Sequence, residues 1–163
     1  MHTDPISRVF CAPRTPRAKL LVMLLVACVV FGLDQWLKYL FLQGLSWDCS
    51  VLTLGGRALV YNDGVAFSMF AFLGAYLKYI QVAMLFLLFG FVLYGGLLQR
   101  HYAAFGLIFG AGASNVLDRF IHGGVVDYVF WHYGFEFAIF NFADVMIDVG
   151  VVLLVWQMWR SRR

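Results

Sequence analysis

Asp127 sits in the run Val125-Val126-Asp127-Tyr128, between β-branched and aromatic neighbours, where nothing adjacent in the chain offers it a cation. A carboxyl group in apolar surroundings has its neutral form favoured. Asp144 closes Asn141-Phe142-Ala143-Asp144 at the start of an apolar stretch. Two such acids brought together could share one proton, one carboxylate activating water while its protonated partner polarises a carbonyl. A local reading competes with that chemistry. Asn is a good helix N-cap, and an acid three residues later suits the positive end of the helix dipole. A third reading pairs Asp144 with Asp148, one turn further along the same helix face, and leaves Asp127 out.

Other polar residues invite weaker readings. Asp34 and Lys38 lie four apart in the favourable acid-before-base order, as a structural ion pair or as a hold on a substrate headgroup. Asp118 beside Arg119 reads as a paired structural carboxylate more readily than as a catalyst, and Asn115 either satisfies a helix end or bonds a peptide. Lys38 could instead serve as base to Ser46, Ser50, Ser68 or Ser114, although none of these serines has a recognisable nucleophile context. His122 and His132 are isolated, without metal-ligand spacing, so no metal site is expected. Cys11, Cys28 and Cys49 lie far apart and suggest no disulfide framework.

The elements that must position these residues follow from composition. Hydrophobic residues make up 63% of the 163-residue chain and charged residues 13%, which points to lipid as the solvent. A net charge of +3 is too small to argue for nucleic acid. Apolar runs at about 20–42, 72–98, 103–117 and 142–159 each approach the roughly 20 residues a spanning helix needs. The third is short, and its Gly106, Gly110 and Gly112 predict tight packing against neighbours. Arg8, Arg14, Arg17, Lys19, Arg100, Arg160, Arg162 and Arg163 then all fall on one side, which the positive-inside rule makes cytoplasmic. Expected is one all-α integral-membrane domain over residues 1–163. It has four transmembrane helices, both termini cytoplasmic and a disordered tail over 1–19.

Segments 43–71 and 118–141 face outward in this scheme, and most of the acids lie there or at the adjoining helix ends. Val51–Leu54 and Arg57–Tyr61 around Gly55-Gly56 predict a hairpin. Tyr128 to Phe140 is almost wholly aromatic or apolar, so the outer segments are expected to form a β-hairpin or irregular platform at the headgroups. A cleaved secretory signal is the rival reading of the N-terminus, with Leu25-Val26-Ala27-Cys28 like a lipoprotein processing site. The apolar run continues past Cys28, which argues against it.

Five blocks together resemble the bacterial lipoprotein signal peptidases (signal peptidase II), a family of aspartic peptidases. Asp34-Gln35-Trp36-Leu37-Lys38 is similar to its D-x-x-x-K segment, and Asn62-Asp63-Gly64-Val65-Ala66-Phe67 to its N-x-G-x-A-F block. Ser114-Asn115-Val116-Leu117-Asp118-Arg119 looks like G-N-x-x-D-R, Val125-Val126-Asp127 like V-x-D, and Phe140-Asn141-Phe142-Ala143-Asp144 like F-N-x-A-D. The resemblance implies removal of the signal peptide from a prolipoprotein by cleavage before a diacylglyceryl-modified cysteine. It implies Asp127 and Asp144 as the catalytic pair and Asn62, Gly64, Asn115, Asp118, Arg119 and Asn141 as substrate-binding or supporting residues. Asp34 and Lys38 would support the fold. No cofactor or metal is implied. The expected partners are the lipidated substrate and membrane lipid. The expected state is a monomer in the bacterial inner membrane with its site on the periplasmic face.

There are two departures: Ser114 where the family often has Gly, and Asp148 where a small or uncharged residue is expected. The rival functions are a small proton-coupled transporter, whose acids should lie near the bilayer midplane, and a non-enzymatic scaffold.

Overall fold

The computed structural model describes residues 17–64 and 71–163. The proline-rich tail before Arg17, Val65-Ala66-Phe67 and Ser68 lie outside the described residues. Helix α1 runs over Arg17–Leu42, so helix begins inside the segment expected to be a tail. Strands β1 (Ser46–Asp48), β2 (Leu52–Gly55) and β3 (Val60–Asn62) follow. A 3-10 stretch, Ala71–Tyr76, leads into helix α2, Leu77–Tyr94. Helix α3 covers Leu98–Ile121, β4 Val125–Asp127, β5 Val129–Trp131 and helix α4 Phe142–Arg160.

Three of the four long helices, taking the 3-10 stretch with α2, are long and apolar enough to cross a membrane. Their outer faces are apolar and exposed, with Leu21, Leu25 and Val29 on α1, Phe86, Leu87 and Phe91 on α2, and Val152 and Val155 on α4. So much exposed apolar surface calls for lipid rather than water. Helix α3 is the exception, and its position explains why. It packs against α1, α2 and α4, so its side chains meet protein and need not be apolar all round. Ser114, Asn115, Asp118 and Arg119 are all buried on it. A Cβ added to Gly106 would lie 2.8 Å from the Met23 carbonyl oxygen, and one added to Gly110 would lie 2.8 Å from Ala27 Cα. The glycines thus set the close α1–α3 approach, as expected, but the helix is 24 residues long rather than the short run of 103–117. Asp118 and Arg119 consequently belong to α3, not to the loop beyond it.

The outer segments do form strands, in a different pairing from the one expected. Val51–Leu54 does not form a hairpin with Arg57–Tyr61. Gly55 and Gly56 adopt positive φ (61° and 53°), and the chain turns through a short 3-10 stretch that sends β2 and β3 into different sheets. Strand β2 pairs antiparallel with β1 and with β5, while β3 pairs antiparallel with β4. The second sheet matters for the site, because it places Asn62 opposite Val125 and Val60 opposite Asp127.

The two ends of the helix bundle differ in chemistry. At one, Lys19 Nζ donates to the Gln99 carbonyl over 2.5 Å, and His101 and Gln157 side chains lie 2.7 Å apart. The start of α1, the start of α3 and the end of α4 therefore share an end with Arg17, Arg100, Arg160, Arg162 and Arg163. The strands and most of the buried acids occupy the other.

Candidate active site

The site is assembled from helix ends outward. Helix α4 begins with a capping box: Asn141 Oδ1 accepts from the Asp144 amide at 3.0 Å, and the Asn141 amide donates to Asp144 Oδ2 at 3.1 Å. The local reading of these two residues is thus satisfied, and it does not exhaust them. The Asn141 side-chain amide donates to Asp127 Oδ1 at 2.6 Å. One asparagine therefore bonds both carboxyl groups. Asp127 comes from β4, so the pair is made of two elements brought together by this residue.

Each acid has a second amide donor. Asn62 donates to Asp127 Oδ2 at 3.0 Å, and its own side-chain oxygen accepts from the Gly64 amide at 3.0 Å, which orients it. Asn115 donates to Asp144 Oδ1 at 2.9 Å. Arg119 reaches across to the same turn, donating to the Asn62 carbonyl at 3.0 Å and to the Gly64 carbonyl, while Gln81 Oε1 accepts from its Nε at 2.7 Å. Arg119 thus holds the loop that presents Asn62.

Behind the pair lies a buried ionic network. Lys38 Nζ stands 2.6 Å from Asp34 Oδ2, 2.6 Å from Asp118 Oδ2 and 2.8 Å from Asn115 Oδ1. Asp34 also accepts from the Ala143 amide at 2.8 Å, tying α1 to the first turn of α4. Asp118 accepts from the Val126 amide at 3.1 Å, fixing β4 one residue before Asp127. Asp34 and Lys38 thus form the ion pair that their spacing predicts. Asp118 is paired too, with Lys38 rather than with its neighbour Arg119, because successive helix residues point in different directions. A Ser–Lys arrangement has no support here: the three contacts of the Lys38 ammonium all go to carboxyl and amide oxygens, and Ser114 donates its hydroxyl to Asp34 at 2.6 Å.

Sequence reasoning missed three contributors. Ser114, noted as a departure and as a possible nucleophile, supplies Asp34 with a donor that glycine could not. Gln35 Nε2 donates to Asp118 Oδ1 at 2.8 Å and to Ser114 Oγ at 2.9 Å. Gln81 steadies Arg119. The signal for Gln35 was its place beside Asp34 and three residues before Lys38; Gln81 carried none. Among the described residues no buried side-chain nitrogen or oxygen lacks a partner. Asp148 stands apart from all this: it is exposed on α4, and Asp144 makes its bonds to Asn141 and Asn115 instead. The proposed Asp144–Asp148 pairing finds no contact to rest on.

Both carboxyls open on one cavity of about 970 Å³, which continues along α4 past Val149 and Val152 to Trp156. Burial, and then the Asp144 carboxylate, push the Asp127 carboxyl from its ordinary value near 3.8 up to about 6, against the opposing pull of the Asn62 and Asn141 amides. The sign of the stability effect follows. Below pH 3.8 both folded and unfolded chains hold this proton; between there and about 6 only the folded chain does, so raising the pH favours unfolding. Stability is expected to fall by up to about 3 kcal/mol across that window. Melting curves of wild type and Asp127→Asn from pH 4 to 7 test it, since the variant should lack this part of the slope.

Fold and site together define a class, helical membrane proteins with two carboxyl groups, one from a strand and one from a helix start, bonded to one asparagine and facing one cavity. Residues 26–160 match the family model described as signal peptidase (SPase) II. The chain is 51% identical over 152 residues to the lipoprotein signal peptidase of Helicobacter pylori strain Shi470, covering 92% of this chain and 95% of that protein. It is 54% identical over 136 residues to the corresponding protein of Wolinella succinogenes, covering 83% and 91%. A solved bacterial membrane enzyme, determined by the in meso method at 2.3 Å resolution, superposes with a TM-score of 0.71 at 25% identity. That alignment covers 86% of this chain and 89% of the enzyme. The chain belongs to the signal peptidase II family and is a membrane peptidase.

Proposed function

We propose that this protein removes the signal peptide from prolipoproteins, cutting before a diacylglyceryl-modified cysteine, with Asp127 and Asp144 as the catalytic acids. The observation that carries the assignment is the pair of carboxyl groups bonded to one asparagine and facing one cavity. Together the two acids hold a single proton. The ionised member takes a proton from water as its oxygen attacks the scissile carbonyl carbon. The protonated member gives its proton to the carbonyl oxygen; on collapse the acid that took the water's proton passes it to the departing amine nitrogen, and its partner takes back the hydroxyl proton as the carbonyl re-forms, restoring the pair. Asn62, Asn115 and Asn141 keep both carboxyls oriented through this cycle, and Gly64 lines the cavity beside them.

The cavity suits such a substrate. From Asp144 to Trp156 α4 rises about 18 Å, and the apolar stretch of a signal peptide, 7–15 residues, spans roughly 10–22 Å as a helix. Arg17, Lys19, Arg100, Arg160, Arg162 and Arg163 share one end of the bundle and the acid pair the other, which supports both termini in the cytoplasm and the site at the periplasmic face of the inner membrane. In this reading α3 is the fourth span of a single integral-membrane domain, and it works as a monomer. The exposed aromatic rings of Trp47, Trp131, Tyr133 and Phe135 form a platform at the headgroups, where the diacylglyceryl group anchors the cleavage point. The acids gather at one end rather than at the midplane, which does not favour transport.

Incubation of the purified protein with a diacylglyceryl-modified prolipoprotein tests the proposal. Release of the signal peptide is expected, leaving the lipidated cysteine as the new N-terminus, with little or no release from the same polypeptide lacking the lipid. No release from either substrate would end it.

A further inference from the structure

Tyr128 follows Asp127 directly, between β4 and β5, and the catalytic cycle does not use it. Its ring is 3% exposed and stacks on Phe41, with centroids 4.2 Å apart and planes at 22°. Phenylalanine would pack there as well; what tyrosine adds is a hydroxyl. A buried hydroxyl costs stability unless it is bonded. Here its oxygen accepts from the Phe142 amide at 3.2 Å. Phe142 is the first residue of α4, immediately after the Asn141 cap.

The opening amides of a helix have no partners within it. In α4 three separate groups accept from them. Tyr128 takes the Phe142 amide, Asp34 of α1 the Ala143 amide at 2.8 Å, and Asn141 the Asp144 amide at 3.0 Å. The Tyr128 bond differs from the others in starting at the residue next to Asp127. Backbone bonds also join this turn to Phe140, whose carbonyl accepts from the Tyr128 and Val129 amides at 3.1 and 2.8 Å. Those bonds lie before the cap. The extended backbone of Asn141 (φ −130°, ψ 178°) is a pivot between them and the helix. The hydroxyl bond lies beyond the pivot.

We infer that Tyr128 is a positioning residue, whose hydroxyl fixes the first turn of α4, and with it Asp144, against Asp127. The inference rests on the proposed function, since it takes these two acids to be the catalyst. The Asn141 side chain sets the separation of the acids at one point. A second bond, from another side chain, sets the orientation of the helix start as well. Two acids that act on one water and one carbonyl need both, and a displacement of about 1 Å costs roughly 10²-fold in rate. Tyr128 is not on the cavity wall, so substrate binding does not depend on it directly.

Tyr128→Phe keeps the ring and removes one oxygen atom. On a diacylated prolipoprotein its kcat is expected to fall about tenfold, with KM changed by less than about twofold. Phe142→Ala and Phe142→Pro supply two backgrounds that locate the effect. Proline suits the first position of a helix and removes the amide that the hydroxyl accepts from, whereas alanine keeps it. Adding Tyr128→Phe should cost about tenfold again in the alanine background and almost nothing in the proline background. Should the proline background lack activity, the split between kcat and KM in the single variant decides. A merely structural role would lower the melting temperature and leave kcat of the folded enzyme alone. A folded Tyr128→Phe enzyme with kcat within about twofold of wild type, a loss carried by KM, or an equal loss in both backgrounds would overturn the inference. So would failure of Tyr128→Phe to fold, since the hydroxyl would then hold the whole bundle rather than the acid pair. Each of these leaves the proposed function standing as long as wild type cleaves. Failure of wild type to cleave would remove both.

Discussion

Asp127→Asn and Asp144→Asn should each lower kcat/KM on a diacylated prolipoprotein by at least about 10³-fold, with the double variant little worse than either single one. The non-additivity is the informative part. The two acids share a proton and act on one water and one carbonyl, so removing either removes the unit. Folding must be separated from chemistry, since both carboxyls are also structural. At Asp144 an asparagine still accepts one hydrogen bond, and the weakened capping box costs about 1 kcal/mol. At Asp127 both oxygens already face amide donors, from Asn62 and Asn141, so an introduced amide meets one donor with another. Thermal melting, together with retained affinity for a non-cleavable lipidated peptide, distinguishes loss of chemistry from loss of structure. A folded single variant within tenfold of wild type would show that the pair is not the catalyst.

Replacement of Lys38 by Met is expected to be the most destabilising single change in the bundle. The ammonium is 2% exposed and stands between the carboxylates of Asp34 and Asp118, which are 0% and 1% exposed. Methionine is similar in length and fills the space, so cavity formation is a small part of the cost. What remains is two buried carboxylates facing each other without a cation, and breaking a buried pair in this way costs about 3–5 kcal/mol. The damage reaches the site as well. Lys38 donates to Asn115 Oδ1, which leaves the Asn115 amide to bond Asp144. Without that anchor the amide is free to turn, and activity should fall alongside stability. A double-mutant cycle with Asp118→Asn separates the two contributions, because removing one of the orphaned charges should recover part of the melting temperature but not the Asn115 orientation. A melting temperature for Lys38→Met within two or three degrees of wild type would show that the network contributes little. Lys38→Arg is not a conservative rescue, since the larger planar guanidinium must fit the same enclosed space.

What could be read from the chain alone was whatever a single segment carries. Hydropathy located the helices, because lipid exposure demands long apolar runs whatever surrounds them. The glycines of 106–112 announced a close helix approach, and the apolar neighbours of Asp127 announced an acid without a local cation. The resemblance of five short blocks added the roles. Only the tertiary structure decided who bonds to whom. Asp34 meets Ala143, 109 residues away, and Asn141 meets Asp127 across the β4–α4 connection. Such contacts leave no periodic trace, since they depend on how separate elements approach. For the same reason Asp118 was read with its neighbour Arg119 when its partner is Lys38, and Ser114 as a departure or a nucleophile when it donates to Asp34. Turn glycines suggested a hairpin at Gly55-Gly56, but strand pairing is settled by the partners available in space. There β5 pairs with β2 and β4 with β3. Sequence carries the solvent each element must face; the fold decides which buried charges meet.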